Sequence, residues 1–112
     1  MNHLNTVIIG GILESGPKTG FSDTGVPFRV FVIVSVRSRK HGAEIKRGVC
    51  HFRIEAGAKL GKLVVAEGRK GHSVRIVGRL EKRGAEVFIR AEYIEFKRKT
   101  TPEYEAEART GL

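Results

Sequence analysis

Lysine and arginine are concentrated in two short windows of this chain. Arg37, Arg39, Lys40, Lys46, Arg47 and Arg53 are opposed only by Glu44, and Arg69, Lys70, Arg75, Arg79, Lys82 and Arg83 only by Glu81. Cationic side chains at that density neutralise phosphates and release the counterions condensed on a polyanion, an attraction indifferent to sequence and weakened by salt. The chain as a whole carries 21 Lys and Arg against 12 Asp and Glu, a formal net charge of +9. A polyanionic partner is therefore the first function class to consider.

Other reactive side chains form no constellation. The segment GILESGPKT, from Gly11, comes close to a phosphate-binding loop, but Pro17 separates Gly16 from Lys18, and the FSDTG that follows is no helix to aim its N-terminus at phosphate. His3, His41, His51 and His72 fall in separate segments without a paired ligand, and Cys50 is the single cysteine, so neither a metal site nor a disulfide is expected. Ser73 beside His72 opens a strand rather than a nucleophile elbow, and no carboxylate pair suits acid-base work. The reading is a non-enzyme with no catalytic residue, cofactor or metal. No apolar run approaches the roughly 20 residues of a membrane span, and the opening MNHLNTVIIGGILESG is unlike a signal peptide, so a cytoplasmic protein is expected.

Strands must position the basic windows. From Gly71 to Lys97, Val74, Ile76, Gly78 and Leu80 alternate with Arg75, Val77, Arg79 and Glu81, the period of a half-buried strand. Arg83-Gly84-Ala85-Glu86 supplies a turn, and Val87, Ile89 and Ala91 return against Phe88, Arg90 and Glu92. The apolar phase then passes to Ile94 and Phe96, which predicts a bulge near Glu92. Upstream, Thr6 to Leu13 is a strand whose Gly10-Gly11 pair implies sharp curvature or close backbone approach. Glu14 to Pro27 reads as a loop, Phe28 to Val36 as a strand apolar on both faces, and Arg37 to Gly48 as a second loop. In a third strand Cys50, Phe52, Ile54 and Ala56 face one way and His51, Arg53 and Glu55 the other. Leu60, Leu63 and Val64 then mark a short helix over Ala58 to Glu67, stopped by Gly68.

Five strands with one helix between the third and fourth is the order of an OB-fold, an all-β Greek-key barrel that binds oligonucleotides across its second and third strands. Residues 1–97 are assigned to this domain and 98–112 to a short flexible tail. On this architecture the two basic windows flank one groove. Phe52 and Phe88 are assigned to the core.

The segments MNHLNTVIIGGIL, SDTGVPFRVFVIVSVRS, AKLGKLVVAEGRKGHSVRIVGRLE and EVFIRAEYIEFK, in that order, resemble the bacterial single-stranded DNA-binding protein (SSB) family over roughly the first 97 residues. GVCHFRIEAG is also similar to the shorter primosomal protein PriB. The resemblance implies a homodimer or homotetramer that wraps single-stranded DNA in replication, recombination and repair, nucleoid-associated in a bacterium. It places His51 where the family often has a stacking Trp and Gly57 where it often has Phe, and it matches Arg53, Lys59, Lys70 and Arg83 to basic positions. The chain has no Trp, so a basic groove with limited stacking is expected. The acidic tail motif of the family, which recruits replication proteins, is absent from Lys97 to Leu112. A PriB-like adaptor in replication restart and an RNA-binding OB-fold are the rival readings.

Overall fold

The run after Pro27, apolar at nearly every position, has no residue that would break a strand, and it continues as one through the basic segment beyond it. In the computed structural model, which describes residues 2–97, this strand and its partner are the longest elements. The chain order is β1 (Val7–Leu13), β2 (Lys18–Phe21), β3 (Pro27–His41), β4 (Glu44–Ala56), α1 (Ala58–Glu67), β5 (Ser73–Arg83) and β6 (Glu86–Phe96). The predicted tail, 98–112, lies outside the described residues.

The sheet runs β1-β5-β6-β4-β3 and closes through a further β1–β3 pairing, with β2 added on the outer side of β3. Five strands thus form the barrel expected of an OB-fold, and α1 sits between β4 and β5 as the sequence predicts. Closure needs β1 to approach β3 closely. A Cβ on Gly11 would lie 2.6 Å from the Val34 carbonyl oxygen, which is the physical reason for glycine there. The core gathers Leu13, Phe31, Ile33, Ile54, Val64, Val74, Ile76, Ile89 and Ile94. Burying each such aliphatic contributes on the order of 1.5–3 kcal/mol. The helix adds Val64, with Leu60 and Leu63 packed beside it.

The bulge falls where the phase change predicts it. Val77 pairs with Tyr93 and Gly78 with Ala91, leaving Glu92 as the extra residue. Three other expectations need correction. Glu14 to Pro27 is not all loop: Lys18–Phe21 forms β2 on β3. Arg37 to Gly48 is no loop either, because β3 and β4 stay paired from Arg29↔Ala56 to His41↔Glu44. Their connection is only Gly42-Ala43, with Gly42 at φ +65°, the two-residue turn that suits the twist of a hairpin. A basic arm therefore projects from the barrel. Finally, Leu80 and Val87, in the inward phase, are 48 % and 56 % exposed. β1 begins at Val7 opposite Gly78, so past that point β5 has β6 on one side but no strand on the β1 side, and the hairpin extends beyond the barrel.

Candidate nucleic-acid interface

Alternation along a paired ribbon assigns each side chain to one of two faces. On the barrel side of the β3–β4 ribbon the core pairs Phe31/Ile54 and Ile33/Phe52 are continued by Ser35/Cys50, Arg37/Gly48, Arg39/Lys46 and His41/Glu44. On the outer side run Val32/Arg53, Val34/His51, Val36/Val49, Ser38/Arg47 and Lys40/Ile45. The first basic window is therefore split. Arg37, Arg39 and Lys46 lie on one face of the arm, and Lys40 and Arg47 lie on the other with His51 and Arg53. All five arm cations are exposed. Among the described residues none of the five has a carboxylate at ion-pair distance, and like charges stand opposite each other at Arg39 and Lys46. Such an arrangement costs stability in isolation and is relieved by an anion.

The outer face below the arm has an aliphatic floor. Val30, Val32, Val34 and Val36 are half-buried on β3, and Val49 is exposed on β4. His51 rises beside Val34, its side chain 57 % exposed, with Nδ1 at 3.3 Å from a Glu14 carboxylate oxygen.

Around the β5–β6 hairpin end the arginines behave differently, because Arg79 and Arg83 of the second window, with Arg53 and Arg90, have carboxylate partners. Arg53 contacts Glu55 at 3.3 Å and Glu86 at 2.9 Å; Arg79 contacts Glu81 at 2.9 Å and Glu92 at 3.8 Å. Glu55, fully buried although its strand phase points it outward, accepts two hydrogen bonds from Arg83 at 2.8 and 3.0 Å and lies 3.6 Å from Arg90. Burial works to raise its pKa. The Arg83 hydrogen bonds and the charges of Arg83, Arg53 and Arg90 overturn that and hold the carboxyl below its ordinary value. The same Arg83 guanidinium lies over Phe88, 4.8 Å from its ring centroid, and 5.4 Å from that of Phe28. Phe88, only 3 % exposed, is buried as expected, but outside the main core, beneath Arg83 and Arg90.

The remaining predicted residues are dispersed. Lys59, at the start of α1, lines with Arg79 and Arg90 an open cleft of about 320 Å³. Arg75 stands on β5 between Gly10 and Glu95, with β6 separating it from β4 and β1 from β3. Lys70 precedes β5 and Lys82 lies at the exposed hairpin end. Glu55, Glu86, Arg90 and Phe28 are the residues that sequence reasoning misses. Arg90 meets Glu55 through the parallel β4–β6 pairing, a long-range contact with no local signature. Among the described residues no three His, Cys, Asp or Glu side chains are grouped to hold a metal ion, and no helix is long and apolar enough to cross a membrane.

No protein-family model and no curated protein matches the chain. Solved structures do. A Plasmodium falciparum SSB in complex with single-stranded DNA superimposes with a TM-score of 0.72 at 19 % identity, over 87 % of this chain and 97 % of that one. The single-stranded DNA-binding protein of Thermus aquaticus superimposes with a TM-score of 0.70 at 21 % identity, and a deletion mutant of it with 0.70 at 20 %, each over 84 % of this chain. This chain spans 50 % of either Thermus chain. The fold of this chain is the one these single-stranded DNA-binding proteins adopt.

Proposed function

We propose that this protein binds single-stranded DNA without sequence preference and serves in replication, recombination and repair. The observation that carries the reading is the β3–β4 arm. Its five cations have no carboxylate partner among the described residues, and its outer face runs without interruption onto the valine floor and His51. On the outer face phosphates bind along Lys40 and Arg47 while bases lie over Val32, Val34, Val36 and His51, and Arg37, Arg39 and Lys46 offer phosphate contacts on the other face of the arm. A floor of this kind accepts any base, because aliphatic and imidazole surfaces do not read hydrogen-bonding edges. The neighbours of the same fold named as SSB support the choice of partner.

The binding species is a homo-oligomer. Among the described residues, the edge of β1 from Val7 to Gly11 has no strand beside it on the side away from β5. Next to that edge Ile8, Val77 and Tyr93 form a row across β1, β5 and β6, with Ile8 71 % and Tyr93 53 % exposed. An open edge bordered by an apolar row suits pairing with a second copy.

The test is a titration of dT oligomers of increasing length at several salt concentrations. Binding with log K falling linearly on log salt is expected, the slope becoming shallower by roughly 0.7 for each arm contact removed. A slope unchanged in the variant with Arg39, Lys40, Lys46 and Arg47 replaced by Ala overturns the reading, as does equal or tighter binding of a duplex RNA. Loss of a protein contact from that variant, with DNA affinity intact, would establish an adaptor instead.

A further inference from the structure

The hairpin end of β5–β6 looks basic in sequence, yet its guanidinium groups are already matched. Arg53, Arg79, Arg83 and Arg90 are engaged by Glu55, Glu81, Glu86 and Glu92. A guanidinium paired with a buried carboxylate gains little from a phosphate, because the incoming charge meets the repulsion of the acid already there. The Arg83 side chain nevertheless stays half-exposed, at 51 %. It donates Nη1 to Glu55 Oε2 and Nη2 to Oε1, so two hydrogen bonds fix the orientation of the guanidinium plane. Phe88 supports it at 4.8 Å and Phe28 flanks it at 5.4 Å.

We propose that Arg83, held by Glu55 over Phe88, is a base-stacking plate rather than a phosphate contact. It stands in for an aromatic platform in a chain that lacks Trp. Arginine planes stack on nucleobases as aromatic rings do, and a plane whose charge is balanced and whose rotamer is fixed loses little freedom on doing so. Glu55 and Phe88 are positioning residues here. The strand thus meets two kinds of surface: the arm, which supplies charge, and the hairpin end, which supplies a plane. The inference rests on the single-strand reading above and deepens it.

The experiment compares a dT oligomer with an abasic-spacer oligomer of equal length, both over a salt series, for the wild type and Arg83→Lys. Lysine keeps the charge and removes the plane. Arg83→Lys is expected to bind the dT oligomer about five- to tenfold more weakly, with unchanged affinity for the abasic oligomer and an unchanged salt slope. Retention of dT affinity within twofold, or an equal loss on both oligomers, overturns the plate. A second variant, Arg83→Tyr combined with Glu55→Gln, supplies an uncharged plane and is expected to keep the preference for dT over abasic; loss of that preference in this folded variant also overturns it. Failure of the wild type to bind either oligomer would overturn the single-strand reading itself, whereas wild-type binding with an indifferent Arg83 removes only the plate.

Discussion

Arg83 forks onto Glu55 across 28 residues of sequence, at 2.8 and 3.0 Å, and so ties the end of the β5–β6 hairpin to the outer face of β4. The consequence is mechanical as well as electrostatic. The hairpin end projects past the start of β1 and is held by this pair, by Arg53 to Glu86, by the Phe88 contact and by two hydrogen bonds between the Asn5 side chain and the Leu80 backbone.

Replacing Glu55 with Gln should test that dependence. Half-exposed arginines can rehydrate when their acid is lost, so the expected cost is about 1–3 kcal/mol at neutral pH, less than for a fully buried pair. The pH profile has a defined sign. The carboxyl is held below its ordinary 4.5 in the folded state, so its contribution is complete above about that pH and is lost as pH falls through the folded value. Chemical denaturation from pH 7 to pH 2.5 should show a steeper loss of stability in acid for the wild type than for Glu55→Gln. Parallel profiles would mean that Glu55 does not anchor the hairpin.

Much of this architecture is legible in local pattern. The Val74/Ile76 alternation, the slip to Ile94, the helix from Ala58 and the crowding at Gly11 all follow from periodicity or from glycine placement. The arm did carry a signal of the same kind: Gly42-Ala43-Glu44 repeats Gly84-Ala85-Glu86, and both glycines have positive φ in the structure. Polar, charged flanks make the first copy resemble a loop, because the arm is exposed among the described residues and shows no apolar alternation. Charge matching is the part that sequence hides. Glu55 meets Arg83 and Arg90 only through barrel closure, so counting cations in a window overstates the field around the hairpin and understates the role of the arm.

Gly11 should tolerate no side chain. Its Cβ position lies 2.6 Å from the Val34 backbone oxygen, and backbone on both sides of the barrel seam cannot yield as a flexible side chain can. Gly11→Ala is expected to lower stability by about 1–3 kcal/mol, the usual cost of overpacking. Gly16→Ala, where no atom lies within 4 Å of the added carbon, should be nearly neutral. Thermal unfolding of the two variants checks the contrast, and equal melting temperatures would contradict the closed seam.

Assembly should run through β1. Sedimentation at micromolar concentration is expected to show a dimer or tetramer for the wild type. Ile8 is 71 % exposed and pairs with Val77 in the row that reaches Tyr93, so Ile8→Lys should shift the distribution toward monomer while leaving the fold intact. A wild type that is monomeric throughout that range would rule out oligomerisation, and an Ile8→Lys protein with an unaltered oligomer would move the interface elsewhere.

His51 offers the remaining separation of stacking from charge. Its ring stands next to Val34 on the outer face, exposed, between the arm above it and Arg53 below. Truncation removes a planar surface without opening a core cavity, so His51→Ala should leave the melting temperature nearly unchanged and weaken dT binding by about 1 kcal/mol. His51→Trp enlarges the same surface and should strengthen binding, provided that the indole clears Glu14, whose carboxylate lies 3.3 Å from the imidazole. Glu14→Gln serves as the control: it removes the one acid in contact with this ring among the described residues and should raise affinity and steepen the salt slope through charge, whereas the His51 variants should change dT affinity by changing the stacking surface. Affinities of these variants for dT oligomers over a salt series decide the matter. If both His51 substitutions leave affinity unchanged, bases do not cross the valine floor at this point.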